Sequence, residues 1–165
     1  QFDLFKFPTR NFGILNDYLE KKASLSSKSL FHLFLADIAN EQERVAKSSF
    51  AVLDRYFFST IAYEVDGINY ENAKRIVEAS GLIKPDLVIY LDITEDISQE
   101  RKSRQKALDR YEEDKKYLSQ VRGNYLKLYD EKFYAHNWHL VDATSSIETV
   151  HQRILEILKG AGVKF

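Results

Sequence analysis

Asp54-Arg55-Tyr56 directly follows the short apolar run Phe50-Ala51-Val52-Leu53 in this chain of 165 residues. A carboxylate at such a place can hold a metal-bound water or orient a nucleophile. The guanidinium beside it can grip a phosphate through two parallel hydrogen bonds. An ordinary strand-end ion pair would read the same way. A second arginine closes the segment Phe7-Pro8-Thr9-Arg10, and its value lies in converging with Arg55 on one anion. Five cations fall within ten positions from Arg101 to Arg110. A solvated helix face has that composition, and so does a lid whose arginines close over a transferring phosphoryl group. The four histidines, His32, His136, His139 and His151, have no metal-ligand spacing; His136 and His139 flank Trp138, which favours a structural role.

These groups need elements to position them. Alternating apolar and polar side chains from Phe2 to Phe7, ended by Pro8, predict a strand. Phe50 to Leu53 predicts a second strand, buried on both faces. Leu87 to Leu91 is the strongest strand pattern, and His139 to Val141 is the last. Helices are predicted over Phe12 to Glu20, Leu30 to Lys47, Phe57 to Tyr63, Tyr70 to Ala79, Asp96 to Tyr134, and Ile147 to Leu158. Most of Phe2, Phe5, Phe7, Phe12 and Phe50 are expected in the core. Short apolar strands separated by helices predict a three-layer α/β/α arrangement around a parallel sheet. Ligands bind such sheets beyond the carboxyl ends of the strands, which here carry Arg10, Asp54, Arg55, Asp92 and Asp142.

The bulk numbers narrow the classes. Hydrophobic residues make up 44% and charged residues 30%, ordinary values for a globular domain. A net charge of −1 gives no global reason to expect nucleic-acid or membrane binding. No apolar run approaches the ~20 residues a membrane-spanning helix requires, and the first ten residues lack a signal-peptide pattern, so a cytoplasmic setting is expected. There is no Cys to form a disulfide or thiolate site, and no Met, so Gln1 is not expected to be the natural start.

Read in order, the motifs resemble those of the thymidylate kinase family. Phe7-Pro8-Thr9-Arg10 is similar to its FP-D/E-R segment, and Leu33-Phe34-Leu35-Ala36-Asp37 to its LLF-x-A-N/D-R helix. Asp54 to Tyr63 resembles DRY-x-x-S-x-x-AY, and Lys84 to Asp92 resembles KPDL-V-x-x-L-D. Arg110-Tyr111-Glu112 resembles the end of its lid, and Asp142 to Glu148 its DA-x-x-S-I-E segment. The resemblance implies a P-loop kinase-like fold, a single domain over residues 1–165, and a lid at about residues 96–112. It implies transfer of the γ-phosphoryl group of ATP to dTMP with Mg²⁺, commonly by a homodimer. Arg10 and Arg55 would hold the acceptor phosphate. Asp54 would position the acceptor and the metal shell. Phe34 would stack on the base, with Ser59, Tyr63 and Tyr111 also on the nucleotide side. Arg101, Arg104 and Arg110 would supply lid cations, the first two catalytic, and Ala143 and Thr144 would lie near the adenine.

Three departures follow. No G-x-x-x-x-G-K-[ST] occurs; that loop supplies amides and a Lys to the ATP phosphates. A strand, loop and helix are therefore expected before Gln1, with a gap at the centre of the sheet without them. Ile38 stands where the family has an Arg that reads the thymine edge. The Asp37 to Asp54 connection is short, with no Gly or Pro between Lys47 and Phe50. Alternatives are a kinase for another nucleotide or nucleoside, and a catalytically inactive nucleotide-binding homologue.

Overall fold

The alternating start of the chain forms β1 (Asp3–Lys6), and the run before Arg55 forms β2 (Ala51–Asp54). In this computed structural model, which describes residues 2–103 and 114–163, the two strands are parallel, with Asp3 opposite Ala51 and Lys6 opposite Asp54. Parallel neighbours need a long connection. Three helices supply it: α1 (Gly13–Leu19), α2 (Ser27–Asn40) and α3 (Gln42–Lys47). After β2 come α4 (Phe57–Ala62) and α5 (Tyr70–Ala79). Together, Gln1–Ile83 form the first of two units.

Local chemistry sets the helix ends. The Ser26 hydroxyl accepts from the Ser29 amide at 3.1 Å, and the Asn69 side chain accepts from the Asn72 amide at 2.9 Å. Each satisfies a first-turn N–H that the helix itself leaves unpaired. The serine-rich stretch is thus the cap and first turn of α2. The helix expected from Leu30 to Lys47 is two helices, divided at Glu41. That carboxylate is buried and paired with Arg44, while the Gln42 side-chain amide donates to the Ile38 carbonyl at 3.0 Å. Serine also makes the short turn into β2, because the Ser48 hydroxyl donates to the Asp3 carboxylate at 2.7 Å.

The core of this unit centres on Leu15, Phe31, Ile38, Phe57 and Ile61. Tyr56 joins it through Phe57, at 4.3 Å between ring centroids, and its hydroxyl lies 3.1 Å from both Gln42 Oε1 and the Ile83 carbonyl. Phe5 and Phe7 are buried as expected, but Phe2 and Phe50 are not: they are 60% and 38% exposed. Strand period 2 puts Phe2, Leu4, Phe50 and Val52 on one face, and all four are exposed. The double-sided burial expected for β2 is therefore absent within this unit.

The second unit, Lys84–Phe165, contains β3 (Val88–Asp92), α6 (Glu95–Ser103), α7 (Lys115–Asp130), β4 (Trp138–Asp142) and α8 (Ile147–Gly160). β3 and β4 are parallel, with Val88 opposite Trp138 and Asp92 opposite Asp142. One face of this pair meets α7, where Tyr125 stacks on Tyr90 at 5.0 Å and 14°. The other meets α8, where Val150, Ile154 and Ile157 pack with Ile89 and Val141. The helix expected over Asp96 to Tyr134 corresponds to α6 and α7. Arg104, Arg110 and Tyr111 lie outside the described residues. The strands form two parallel pairs, β1–β2 in the first unit and β3–β4 in the second.

Candidate active site

The register of β1 and β2 sets the ends of the two strands side by side, with Lys6 opposite Asp54. The Phe7 amide donates to the Asp54 carbonyl at 3.0 Å, so the chain leaves both strands side by side, toward Arg10 on one and Arg55 on the other. Both arginines are left-handed, with φ of 67° and 59°. That region costs a residue bearing a Cβ roughly 1–2 kcal/mol, and such conformations cluster at functional sites. The arginine at 10 is held from two helices. Thr9 donates its amide (2.8 Å) and its hydroxyl (2.5 Å) to the two carboxylate oxygens of Asp37 on α2. From α1, Asn16 donates its side-chain amide to the Arg10 carbonyl at 2.6 Å. The Arg55 guanidinium lies 5.5 Å from the centroid of the Tyr63 ring, a cation–π contact. Asp54 pairs with Lys6 at 3.5 Å, with side chains 50% and 76% exposed. A pair so open to water contributes well under about 1 kcal/mol and leaves the carboxylate accessible.

Behind these strand ends, α2 packs against α4. α2 carries Phe34, half-buried, and α4 carries Ser59, also half-buried, with Tyr63 just past its end. The next loop is tied down by Glu64, a buried carboxylate accepting from the Gly67 and Ile68 amides at 2.6 and 2.8 Å. Ile38 is 2% exposed and belongs to the core.

In the second unit the strand ends are Asp92 and Asp142. Asp92 accepts both arms of Arg122 from α7, at 2.7 and 2.8 Å, and its Oδ1 also lies 3.1 Å from the Tyr90 hydroxyl. The guanidinium hydrogen bonds hold the Asp92 carboxyl below its ordinary range, and the Arg122 pKa is raised by the same bonds. Burial, together with the adjacent Asp92 charge, pushes the Tyr90 hydroxyl up. Asp142 is lowered by hydrogen bonds from Thr144, whose amide donates to Asp142 Oδ1 at 2.9 Å. The turn after β4 is clamped by Arg101 of α6, which donates to the carbonyls of Ala143, Thr144 and Ser145 at 2.8, 2.9 and 2.9 Å.

A family model described as thymidylate kinase matches residues 4–154 of this sequence. The chain belongs to the thymidylate kinase family. The thymidylate kinase of Schizosaccharomyces pombe is 32% identical over 170 residues, which is 98% of this chain and 79% of that protein. The human thymidylate kinase is 30% identical, over 92% of this chain and 73% of its own length. The solved structure of the Candida albicans thymidylate kinase, described as revealing the origin of broad substrate specificity and a novel structural element, matches with a TM-score of 0.73. Its identity is 26%, and the match covers 98% of this chain and 81% of that one. The α/β fold with parallel strands expected from the sequence is the fold of this family.

Of the predicted thymidylate kinase residues, Asp54 ends β2 beside the end of β1, and Arg55 lies over the Tyr63 ring. Arg101, predicted as a catalytic lid cation, has its guanidinium engaged by three backbone carbonyls beside Ala143 and Thr144. Asp92, one of the strand-end acids, is paired with Arg122. Sequence reading passed over Asn16, Asp37, Glu64 and Arg122 as site supports. Asp37 had a signal: it is the lone acid in the otherwise apolar stretch Leu33 to Ile38. Asn16, Glu64 and Arg122 had none, since polar residues in helices usually face water.

Proposed function

We propose that the protein transfers the γ-phosphoryl group of ATP to dTMP, giving dTDP and ADP. The observation that supports this reading is the parallel pairing of β1 with β2, since the segments leaving their adjacent ends carry Arg10 and Arg55. Two guanidiniums, always protonated, match a phosphate dianion and offset its repulsion from the incoming γ-phosphate. An oxygen of the acceptor phosphate forms the new bond to phosphorus as the bond to the ADP oxygen breaks. Phe34 stacks on the base, Ser59 and Tyr63 flank the sugar side, and Tyr111, outside the described residues, is a further nucleotide contact in this reading. Arg104 and Arg110 are lid cations, and Ala143 and Thr144 border the adenine, with Arg101 behind them.

Magnesium suits this acceptor site. Asp54 is a single half-exposed carboxylate, and among the described residues no group of three or more acids, histidines or cysteines gathers to cage a metal. Mg²⁺ at phosphoryl-transfer sites keeps several waters and uses one or two carboxylates plus substrate phosphates. Asp54 would hold one of those waters and orient the acceptor. When bound, the ion neutralises phosphate charge.

Both units belong, in this reading, to one catalytic domain in a cytoplasmic homodimer, with dTMP and ATP as small-molecule partners. Among the described residues no helix is long and apolar enough to cross a membrane. The apolar residues Leu30, Phe31, Leu35, Phe57, Phe58, Ile61 and Ala62 on α2 and α4 are buried within the chain. They therefore lend the dimer no support.

Ile38 favours a second reading in which the base is less strictly selected, because a buried isoleucine donates no hydrogen bond to a thymine edge. Calorimetric titration of the full-length protein with dTMP, dUMP, dCMP and UMP separates the two. Preferential dTMP binding that Arg55→Ala weakens at least about ten-fold, the scale of a lost charge-assisted contact, supports the first reading. Equal binding of several pyrimidine monophosphates supports the second. A folded protein that binds none of them refutes both.

A further inference from the structure

We propose that Asp37 is a positioning residue for the acceptor phosphate, acting on Arg10 through Thr9; this rests on the reading of Arg10 as an acceptor-phosphate ligand. Asp37 is 1% exposed, and a carboxylate in the interior needs its oxygens satisfied. Among the described residues, neither a cation nor an amide of its own helix pairs with it. Both oxygens go instead to one residue 28 positions away, Thr9, by amide and hydroxyl. Thr9 immediately precedes the left-handed Arg10. Anchoring both its N–H and its Oγ fixes the backbone from which the arginine departs.

The far side of Arg10 is fixed as well, since its carbonyl accepts from Asn16 and the Asn11 amide donates to Thr9 Oγ at 3.3 Å. An exposed arginine has little packing to aim it, and freezing its long side chain on a ligand carries an entropic cost. A rigid backbone on both sides confines the guanidinium to the neighbourhood of the β1–β2 strand ends. Asp37 thus contributes to binding without touching the nucleotide.

The substitutions Asp37→Ala, Asp37→Asn and Arg10→Ala in the full-length protein test this by steady-state kinetics. Asp37→Ala is expected to raise KM for dTMP about ten-fold, the equivalent of one strong hydrogen-bonded contact, with KM for ATP and kcat nearly unchanged. Asp37→Asn, whose carbonyl can accept the Thr9 amide while its NH₂ donates to Thr9 Oγ, is expected to restore most of that loss. In the Arg10→Ala background, Asp37→Ala is expected to add little, because residues acting through one group are non-additive. Thr9→Val, at a half-buried site, gives the same readout if Asp37→Ala does not fold.

A purely structural role would lower the melting temperature while leaving KM for dTMP alone, and that outcome overturns the proposal. Additive effects of Asp37→Ala and Arg10→Ala overturn it too. If Arg10→Ala itself leaves dTMP binding unchanged, the acceptor-site reading has failed, and the proposal with it. If Arg10→Ala weakens binding and Asp37→Ala does not, only the proposal has failed.

Discussion

Replacing Asp92 by Asn removes the charge from the one carboxylate that receives both arms of Arg122. The side chains of this pair are 16% and 32% exposed, so it lies between two known limits. Open surface pairs contribute about 0–1 kcal/mol, and removing one partner of a fully buried pair costs about 3–5 kcal/mol. Two hydrogen bonds of 2.7 and 2.8 Å become weaker neutral contacts, and Asn keeps one acceptor oxygen for the guanidinium. A loss of about 2 kcal/mol follows, or about 4–8 °C in Tm for a chain of this size. The pH dependence has a definite sign. Arg122 lowers the Asp92 carboxyl in the folded state below its ordinary 3.8, so the stabilisation is complete above that value and is lost as the pH falls through the lower, folded-state one. Urea midpoints of the wild-type protein and Asp92→Asn at pH 7, 5 and 3 provide the assay. The gap should be equal at pH 7 and 5 and narrower at pH 3. Identical midpoints at pH 7, or a gap as wide at pH 3, would refute the reasoning.

Arg101→Ala removes all three bonds that clamp the turn at Ala143 to Ser145; KM for ATP should rise about ten-fold, with kcat at saturating ATP falling less than three-fold. A large kcat loss at unchanged KM would instead return Arg101 to the catalytic role read from the sequence. Gly67→Ala would set a Cβ against the Glu64 carboxylate and 2.5 Å from Ser27 Cβ at the start of α2. Overpacking there should cost about 1–3 kcal/mol, read as a lower Tm, whereas Gly123→Ala, whose Cβ meets nothing within 4 Å, should leave Tm unchanged or raise it.

Much of the molecule was legible because its signals are local. Strand pattern and terminal Asp placed β2 and β3 within a residue or two, and motif order singled out Arg55 and Tyr63, which the structure brings into contact. The errors have physical sources. Period 2 tells that Phe2, Leu4, Phe50 and Val52 share a face, but not whether anything covers it. The break at Glu41 depends on a buried carboxylate meeting Arg44, a contact that propensity does not describe. The clamp of Arg101 on three carbonyls joins residues more than 40 positions apart. A run of cations announces charge, not whether each cation faces ligand, water or backbone.

The left-handed backbone at Arg10 and Arg55 has a consequence for how damage to this protein would show itself. Glycine adopts that conformation freely, and the relief of about 1–2 kcal/mol roughly offsets the added freedom of its unfolded chain, about 0.5–1 kcal/mol. At Arg10 an arginine-to-glycine lesion would therefore leave a chain about as well folded as before, whereas at Arg55 it would also remove the contact with Tyr63. Cellular quality control triages unfolded molecules, and in the Arg10 case it would have nothing to act on. The Arg10 variant would accumulate to normal abundance while lacking the guanidinium proposed to hold the acceptor phosphate.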